Sequence, residues 1–190
     1  MKDKLSDENK IPKNNKRDWI ETIMIGIVVI VINVFFFNIT VVRGDSMNPT
    51  LGDGDRLILK KYETLLNIEE YNKGDIVAFK SPIDKDNRFF IKRVVGIPGD
   101  KINIIEGNLY INDEYIKEPY VENECFTESL SYGANFIVPE DQIFVIGDNR
   151  SPGGSNDSRS FGSISIKEIK GKVVLRIFPF NKIGKALDNR

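Results

Sequence analysis

Arg88-Phe89-Phe90-Ile91-Lys92-Arg93-Val94-Val95-Gly96-Ile97 is the stretch that decides the fold. It is rich in aromatic and β-branched residues and is closed by Pro98-Gly99, so it reads as a strand. In period-2 geometry Phe90, Lys92 and Val94 share one face, and Ile91, Arg93 and Val95 share the other. Both faces are apolar around the charges, so one of the two cations must sit on a face that packs against the core. A lysine held there loses proton affinity, because desolvation penalises its charged form. Moving its pKa from ~10.4 to ~8 costs about 3 kcal/mol. Burial can supply that much, and it makes a neutral amine available near about pH 8–9.

Outward from this strand the pattern stays β. DRLILKKY (55–62), DIVAFKS (75–81), KINIIEG (101–107), NLYIND (108–113), QIFVIGD (142–148) and KVVLRIF (172–178) are short runs of the same kind, punctuated by Gly, Pro, Asn and Asp. Glu106-Gly107-Asn108 reads as a hairpin turn and Ile97-Pro98-Gly99-Asp100 as another turn. Residues 122–135 and 150–158 read as loops, and a helical turn is expected near Thr64–Tyr71. The expected fold is mainly β, an antiparallel domain over 39–190.

In front of it, residues 23–37 read IMIGIVVIVINVFFF. Extended to Trp19 and Asn38 the run is 20 residues long, about the length that spans a ~30 Å hydrocarbon core as one helix. Trp19 and Phe35–Phe37 suit the two interfaces, and Glu21 would lie in the first helical turn. The competing readings are a cleaved secretory signal and a buried core helix. The run ends in FFFNITVVRGD without a small-x-small cleavage pattern, and it is apolar on every face, which favours an anchor. Lys2, Lys4, Lys10, Lys13, Lys16 and Arg17 precede it, whereas Arg43 and Arg56 are the only basic residues in 38–57. The positive-inside bias thus makes 1–18 a cytoplasmic tail, 19–38 a single-pass transmembrane anchor and 39–190 extracytoplasmic.

Composition removes several classes of function. The 190 residues carry a formal net charge of −1, which gives no nucleic-acid footprint. Cys125 is the only cysteine, so no intramolecular disulfide forms and no Cys-based zinc site is expected. There is no histidine at all. A Ser-His-Asp triad and a Cys-His pair are therefore excluded, and a hydrolase must find its base among Lys, Asp, Glu, Tyr or a terminal amine.

Against that background a second segment matters: Gly44-Asp45-Ser46-Met47-Asn48-Pro49-Thr50-Leu51. A serine in a turn is usually a turn former, and a lysine in a strand usually lies on a polar face. Here a neutral Lys92 amine would be the base that a Ser46 hydroxyl needs. The two segments resemble signature boxes of bacterial type I signal peptidases, in the short Gram-positive form. Gly74-Asp75-Ile76-Val77-Ala78-Phe79-Lys80 resembles a third box. Gly147-Asp148-Asn149-Arg150 followed by Ser155-Asn156-Asp157-Ser158-Arg159-Ser160-Phe161-Gly162 resembles a fourth. The order is kept from the anchor to about Phe180, nearly the whole chain.

The resemblance implies a membrane-bound serine endopeptidase that cleaves N-terminal signal peptides from exported precursors and needs no cofactor or metal. Ser46 would be the nucleophile, with its backbone N–H serving the oxyanion, and Lys92 the general base. Ser155 would orient the lysine, and Asp157 and Arg159 would form a supporting ion pair. Met47, Leu51 and Ile91 would line pockets for small residues at the substrate −1 and −3 positions. The substrate would add beside the site as an extended strand. The lipid bilayer and a secretion translocon are the expected neighbours, at a bacterial cell membrane.

Two departures stand out. Gly44 occupies a position where some relatives carry a serine that supplies an oxyanion donor. The spacer between Arg150 and Ser155 is about two residues longer than usual, which leaves Ser151 and Ser158 as competitors of Ser155. Asp53 and Asp55 read as turn residues, and Asp148, Arg150, Asp157 and Arg159 could equally form a structural ion-pair cluster. Two rival functions stay open: a processing protease with narrow substrates, and a tethered β domain that binds peptides without cleaving them.

Overall fold

The structure, a computed structural model, describes residues 16–61, 71–83, 88–122 and 125–184. The basic residues at Lys2, Lys4, Lys10 and Lys13 lie outside these residues, as does most of the helical turn expected at Thr64–Tyr71. The chain divides into two compact units, 1–35 and 36–190.

In the first unit a helix begins at Lys16 and runs to Phe36. It starts earlier than the anchor read at 19–38, so Asp18 occupies the first turn and Glu21 falls one turn later. It also stops sooner, because Phe37 and Asn38 already belong to a strand. Ile20, Ile23, Met24, Ile25 and Ile27–Val31 are all exposed along it. Among the described residues no helix is long and apolar enough to cross a membrane; the side chains of residues 17 and 32–35 are not among those described.

The second unit is the antiparallel β domain. Its strands are β1 (Phe37–Val41), β2 (Arg56–Lys60), β3 (Ile76–Lys80), β4 (Phe89–Gly96), β5 (Lys101–Ile105), β6 (Asn108–Ile111), β7 (Glu114–Tyr115), β8 (Phe136–Ile137), β9 (Gln142–Ile146), β10 (Ile164–Ser165) and β11 (Ile169–Phe178). A larger sheet runs in the order β1-β2-β11-β3-β4-β9-β10 and a smaller one in the order β7-β6-β5-β8. All seven of the β-rich runs read from the sequence are strands. The short β7, β8 and β10 escaped that reading because two residues carry no period.

Strand alternation explains the core. On β3, Ile76 and Ala78 join a cluster with Val42, Met47, Leu51, Leu57, Leu59 and Val173. Val77 and Phe79 point the other way, into a cluster with Val94, Ile143, Val145, Ile164 and Ile169. Val95, Phe144 and Ile146 supply a third cluster with Ile102, Ile104, Leu109, Ile111 and Val138 from the smaller sheet and its surroundings. The central strands are thus buried on both faces, which is why β3 and β9 read as continuous apolar runs. The hairpin β5–β6 pairs Ile105 with Asn108 across Glu106-Gly107, whose φ values of 51° and 79° are the pair a two-residue turn of type I′ needs.

β4 crosses from β3 to β9 with a register shift between Val94 and Gly96. At that shift Gly96 is packed so closely that an added Cβ would stand 2.7 Å from Ile102 Cδ1 and 3.2 Å from Phe144 Cβ. Gly96→Ala should therefore overpack the junction and lower stability by about 1–3 kcal/mol. Urea unfolding of the variant and the parent measures this, and an unchanged midpoint would show that the junction is loose.

Candidate active site

β4 carries both cations into the interior. Lys92 is 3% exposed and Arg93 1%, so the two faces that alternate along the strand are both buried here. The sequence required burial of one cation; the structure buries both and gives each a different partner. Val77 lies opposite Lys92 on β3 and Ile76 lies opposite Arg93.

Ser46 reaches Lys92 from a turn that follows β1. The base of that turn is closed by Val42 N–H donating to Asp55 O at 2.8 Å and Gly54 N–H donating to Val42 O at 3.0 Å. Inside it Asn48 N–H donates to Asp45 O and Leu51 N–H to Met47 O. Met47 and Leu51 face inward and anchor the turn in the first apolar cluster. The Ser46 carbonyl is pinned by Asn149 N–H at 3.1 Å, and the Asp45 carbonyl by Asn149 Nδ2 at 3.1 Å. Ser46 Oγ then stands 2.5 Å from Lys92 Nζ. A protonated lysine donates this hydrogen bond; a neutral amine accepts it from the hydroxyl. Lys92 Nζ also donates to Ile91 O at 3.1 Å and lies 5.4 Å from the centre of the Phe90 ring.

Burial pushes the Lys92 amine down to about 8, against the nearby charges of Asp157 and Asp148, which raise it; Arg159 assists the lowering. Each of those carboxylates is matched to an arginine. Asp157 accepts from Arg159 Nε at 2.8 Å and Nη2 at 2.9 Å. Asp148 accepts from Arg93 Nε at 2.9 Å and Nη2 at 2.6 Å. Burial alone would raise the Asp157 carboxyl, but the hydrogen bonds and charge of Arg159 hold it below the usual carboxylate range. The Ser155 hydroxyl assists from nearby without forming a well-made hydrogen bond of its own. Asp157 also caps the short helix Ser158–Phe161, accepting the Arg159 N–H, and takes the Gly147 N–H at 3.0 Å. The ion pair read at Asp157 and Arg159 is present, and it is structural as well as electrostatic.

Gly147 is the hinge of the arrangement. A Cβ there would stand 2.3 Å from Ser155 Oγ and 2.4 Å from the Ser46 carbonyl oxygen. Ser155 thus lies beside the Ser46 backbone, across a gap only glycine leaves open, and its Oγ is buried without a hydrogen-bond partner. The two competing serines have other employment. Ser158 Oγ accepts the Val145 N–H at 3.0 Å, and Ser151 sits exposed with its Oγ 3.7 Å from Cys125 Sγ. The longer spacer is absorbed by an exposed turn, in which Gly154 N–H donates to Ser151 O at 2.8 Å and Gly153 has φ +72°.

Gly44 is also explained locally. Its φ is +81° and its N–H donates to Asp53 Oδ1 at 2.7 Å. A serine in this left-handed conformation would be strained, so the turn and the glycine go together. Asp53 and Asp55 are turn residues as read: Asp55 accepts the Gly52 N–H and pairs with Arg176. Among the described residues no three of His, Cys, Asp or Glu converge in a metal-holding group. Ile91 is half-buried against the first cluster, to which the buried Met47 and Leu51 belong.

Sequence reasoning missed Glu118 and Tyr120. Arg150 donates to Glu118 through Nη1 at 2.7 Å and Nη2 at 2.5 Å, and through Nε to Gly147 O at 2.8 Å. Tyr120 lies over Arg93, 3.9 Å from guanidinium carbon to ring centre. Nothing local in Glu118-Pro119-Tyr120 marks it as other than a loop, and its partners are about thirty residues distant in the chain.

Comparison with known proteins identifies the family. A family model described as "Signal peptidase, peptidase S26" matches residues 16–178. The chain is 37% identical over 183 residues to signal peptidase I of Bacillus licheniformis, covering 92% of this chain and 95% of that one. It is 33% identical over 191 residues to signal peptidase I S of Bacillus subtilis (strain 168), covering 96% and 100%. It is 32% identical over 190 residues to signal peptidase IB of Staphylococcus aureus (strain N315), covering 90% and 93%. A solved signal peptidase I from Enterococcus faecalis V583 aligns at 32% identity with a TM-score of 0.47, over 56% of this chain and 97% of that one. The sequence matches carry the assignment: the chain belongs to the peptidase S26 family of signal peptidases, serine peptidases that remove signal peptides from precursor proteins.

Proposed function

We propose that Ser46 and Lys92 form the catalytic dyad of a membrane-bound signal peptide endopeptidase. The observation that carries this reading is the buried Lys92 amine 2.5 Å from the Ser46 hydroxyl. With its pKa near about 8, half of the amine is neutral at that pH. The neutral amine takes the hydroxyl proton as Oγ attacks the scissile carbonyl. The Ser46 N–H, which has no acceptor among the described residues, donates to the oxyanion that forms. The lysine ammonium then protonates the departing amine, leaving an acyl-enzyme. A water molecule gives its proton to the amine and attacks the ester, which releases the acid and restores Ser46.

Ser155 supports this cycle as the buried, unpartnered hydroxyl next to the dyad, free to accept from the ammonium when it forms. Asp157 and Arg159 hold that corner and balance each other's field. Substrate recognition follows from an open edge. β9 pairs with β4 only from Arg93 onward, so the edge of Phe89–Lys92 on that side is unpaired among the described residues. An extended segment can add there, with backbone bonds for affinity and alternate side chains for selection. In this reading the half-buried Ile91, which packs on the cluster of Met47 and Leu51, meets a small side chain at −1 or −3.

The helix Lys16–Phe36 serves in this reading as the anchor, with the basic tail in the cytoplasm and the β domain, residues 39–190, on the outer side. Ser46 is nine residues beyond Phe37, at most about 30 Å of chain. The nucleophile therefore works close to the bilayer, where a translocated precursor presents its cleavage site beside a translocon.

Ser46→Ala and Lys92→Ala should each cut precursor cleavage by about 10³-fold or more. Purified full-length protein with a signal-bearing precursor tests this, and normal processing by either variant would remove the mechanism. Because the neutral amine is the working form, kcat/KM should rise with pH through about 8 and level off above it. A rate that peaks near about pH 5 would contradict a lysine base. Gly147→Ala would press a methyl group against the Ser46 carbonyl. Activity should fall about 10²-fold while the circular dichroism spectrum stays unchanged, and full activity would show that Ser46 need not be held there.

A further inference from the structure

A cleft with a volume of about 540 Å³ contains neither Ser46 nor Lys92 among its lining residues. Apolar Val94, Leu109 and Ile116 line it, and Tyr120 forms part of its wall. Against that tyrosine ring lies Arg93. The guanidinium is 3.9 Å from the ring centre, and the Arg93 side chain is 2% exposed. Its Nη1 donates to Gly74 O at 2.9 Å, and Gly74 also lines the cleft. The ring thus touches both the cleft and a buried ion pair.

We propose that Tyr120 is a positioning residue for the proposed lysine base: its aromatic face keeps Arg93 seated on Asp148 and water off that pair, and so holds the electrostatic setting of Lys92. The ring is suited to this work. Its hydroxyl donates to Glu118 Oε1 at 2.8 Å, and Glu118 in turn holds Arg150. Burial first, and then the Glu118 carboxylate, push the hydroxyl pKa up, so the ring stays neutral. A neutral, fixed aromatic face attracts a guanidinium that has lost its water.

The link to Lys92 runs through Asp148, whose charge raises the proton affinity of the amine. The other groups facing Lys92 are Asp157 and Arg159 from the short-helix region, Ser46 from the turn after β1, and Phe90 on its own strand. From β3 its neighbour is the uncharged Val77. Around Arg93 stand Asp148, Thr50 and Tyr120, with Glu118 and Arg150 behind the ring. When the ring is lost, Arg93 is less firmly held, and Asp148 is less fully balanced. Water entering from the cleft also lessens the desolvation of the region. Both changes raise the proton affinity of Lys92, so they act with one sign.

The inference rests on the reading of Lys92 as general base, and one experiment separates the two. The pH dependence of kcat/KM is measured on full-length protein for the parent, Tyr120→Phe, Tyr120→Leu and Tyr120→Ala. The parent should show its lower limb near about 8. Tyr120→Phe keeps the face and should keep the limb. Tyr120→Leu and Tyr120→Ala should move it upward by about half a unit or more. Leucine fills the wall without a π face, so it carries the test if the alanine variant does not fold. A parent profile without that limb would overturn the base assignment. A parent limb near 8 that stays in place in the leucine variant, or that moves equally in the phenylalanine variant, would overturn the role of the Tyr120 face.

Discussion

The structure depends on the burial of one amine. A lysine in water keeps its proton far above neutral pH and cannot serve as a base there. Lys92 is removed from water by the strand that carries it and by the turn that carries Ser46, and that removal brings its pKa to about 8. The cost falls on the fold, since a charge must be excluded and two carboxylates tolerated nearby. In the proposed dyad of a chain without histidine, this burial would replace the usual means of obtaining a base near neutrality.

The surroundings make sense as a way to spend little charge on that amine. Arg93 with Asp148, Arg159 with Asp157 and Arg150 with Glu118 are three buried pairs around one site. Buried pairs add little net stability and are costly to break, because a single partner left behind is an unpaired charge in low dielectric. Their value here is geometric. Arg150 holds the Gly147 carbonyl, Asp157 holds the Gly147 N–H, and Gly147 leaves the space in which the Ser46 carbonyl and Ser155 lie together. The apolar turn residues Met47 and Leu51 fix the other end, so Ser46 is held by the core on one side and by an ion-pair scaffold on the other.

Much of this was legible in the sequence, for identifiable reasons. β-branched and aromatic runs between turn residues marked the long strands, and burial on both sides made β3 and β9 read as continuous apolar runs. The alternation around Lys92 also required a buried cation. It could not say that Arg93 would be buried as well, since that depends on Asp148, 55 residues away. Ser155, rather than Ser151 or Ser158, lies beside Ser46 because the extra spacer residues turn outward, a matter of backbone conformation that residue types alone leave open. Gly44 stood out in sequence as a departure from relatives with a serine donor there; its φ of +81° suits the turn to glycine. Glu118 and Tyr120 were invisible because Arg150 and Arg93, which they meet, lie about thirty residues away in the chain. The helix ends at Phe36, a boundary that hydropathy does not mark, since the aromatic run Phe35–Phe37 continues across it into β1.

The central claim is that Lys92 is held neutral at a working pH by its burial against Ser46. Its most direct test is the titration of the Lys92 ε-carbon, followed by ¹³C NMR in the intact protein carrying ¹³C-labelled lysine and assigned with Lys92→Arg. A midpoint near about 8 is the predicted result, against an ordinary value of 10.5. A midpoint at the ordinary value would contradict the account, because a lysine that keeps its proton cannot take one from Ser46.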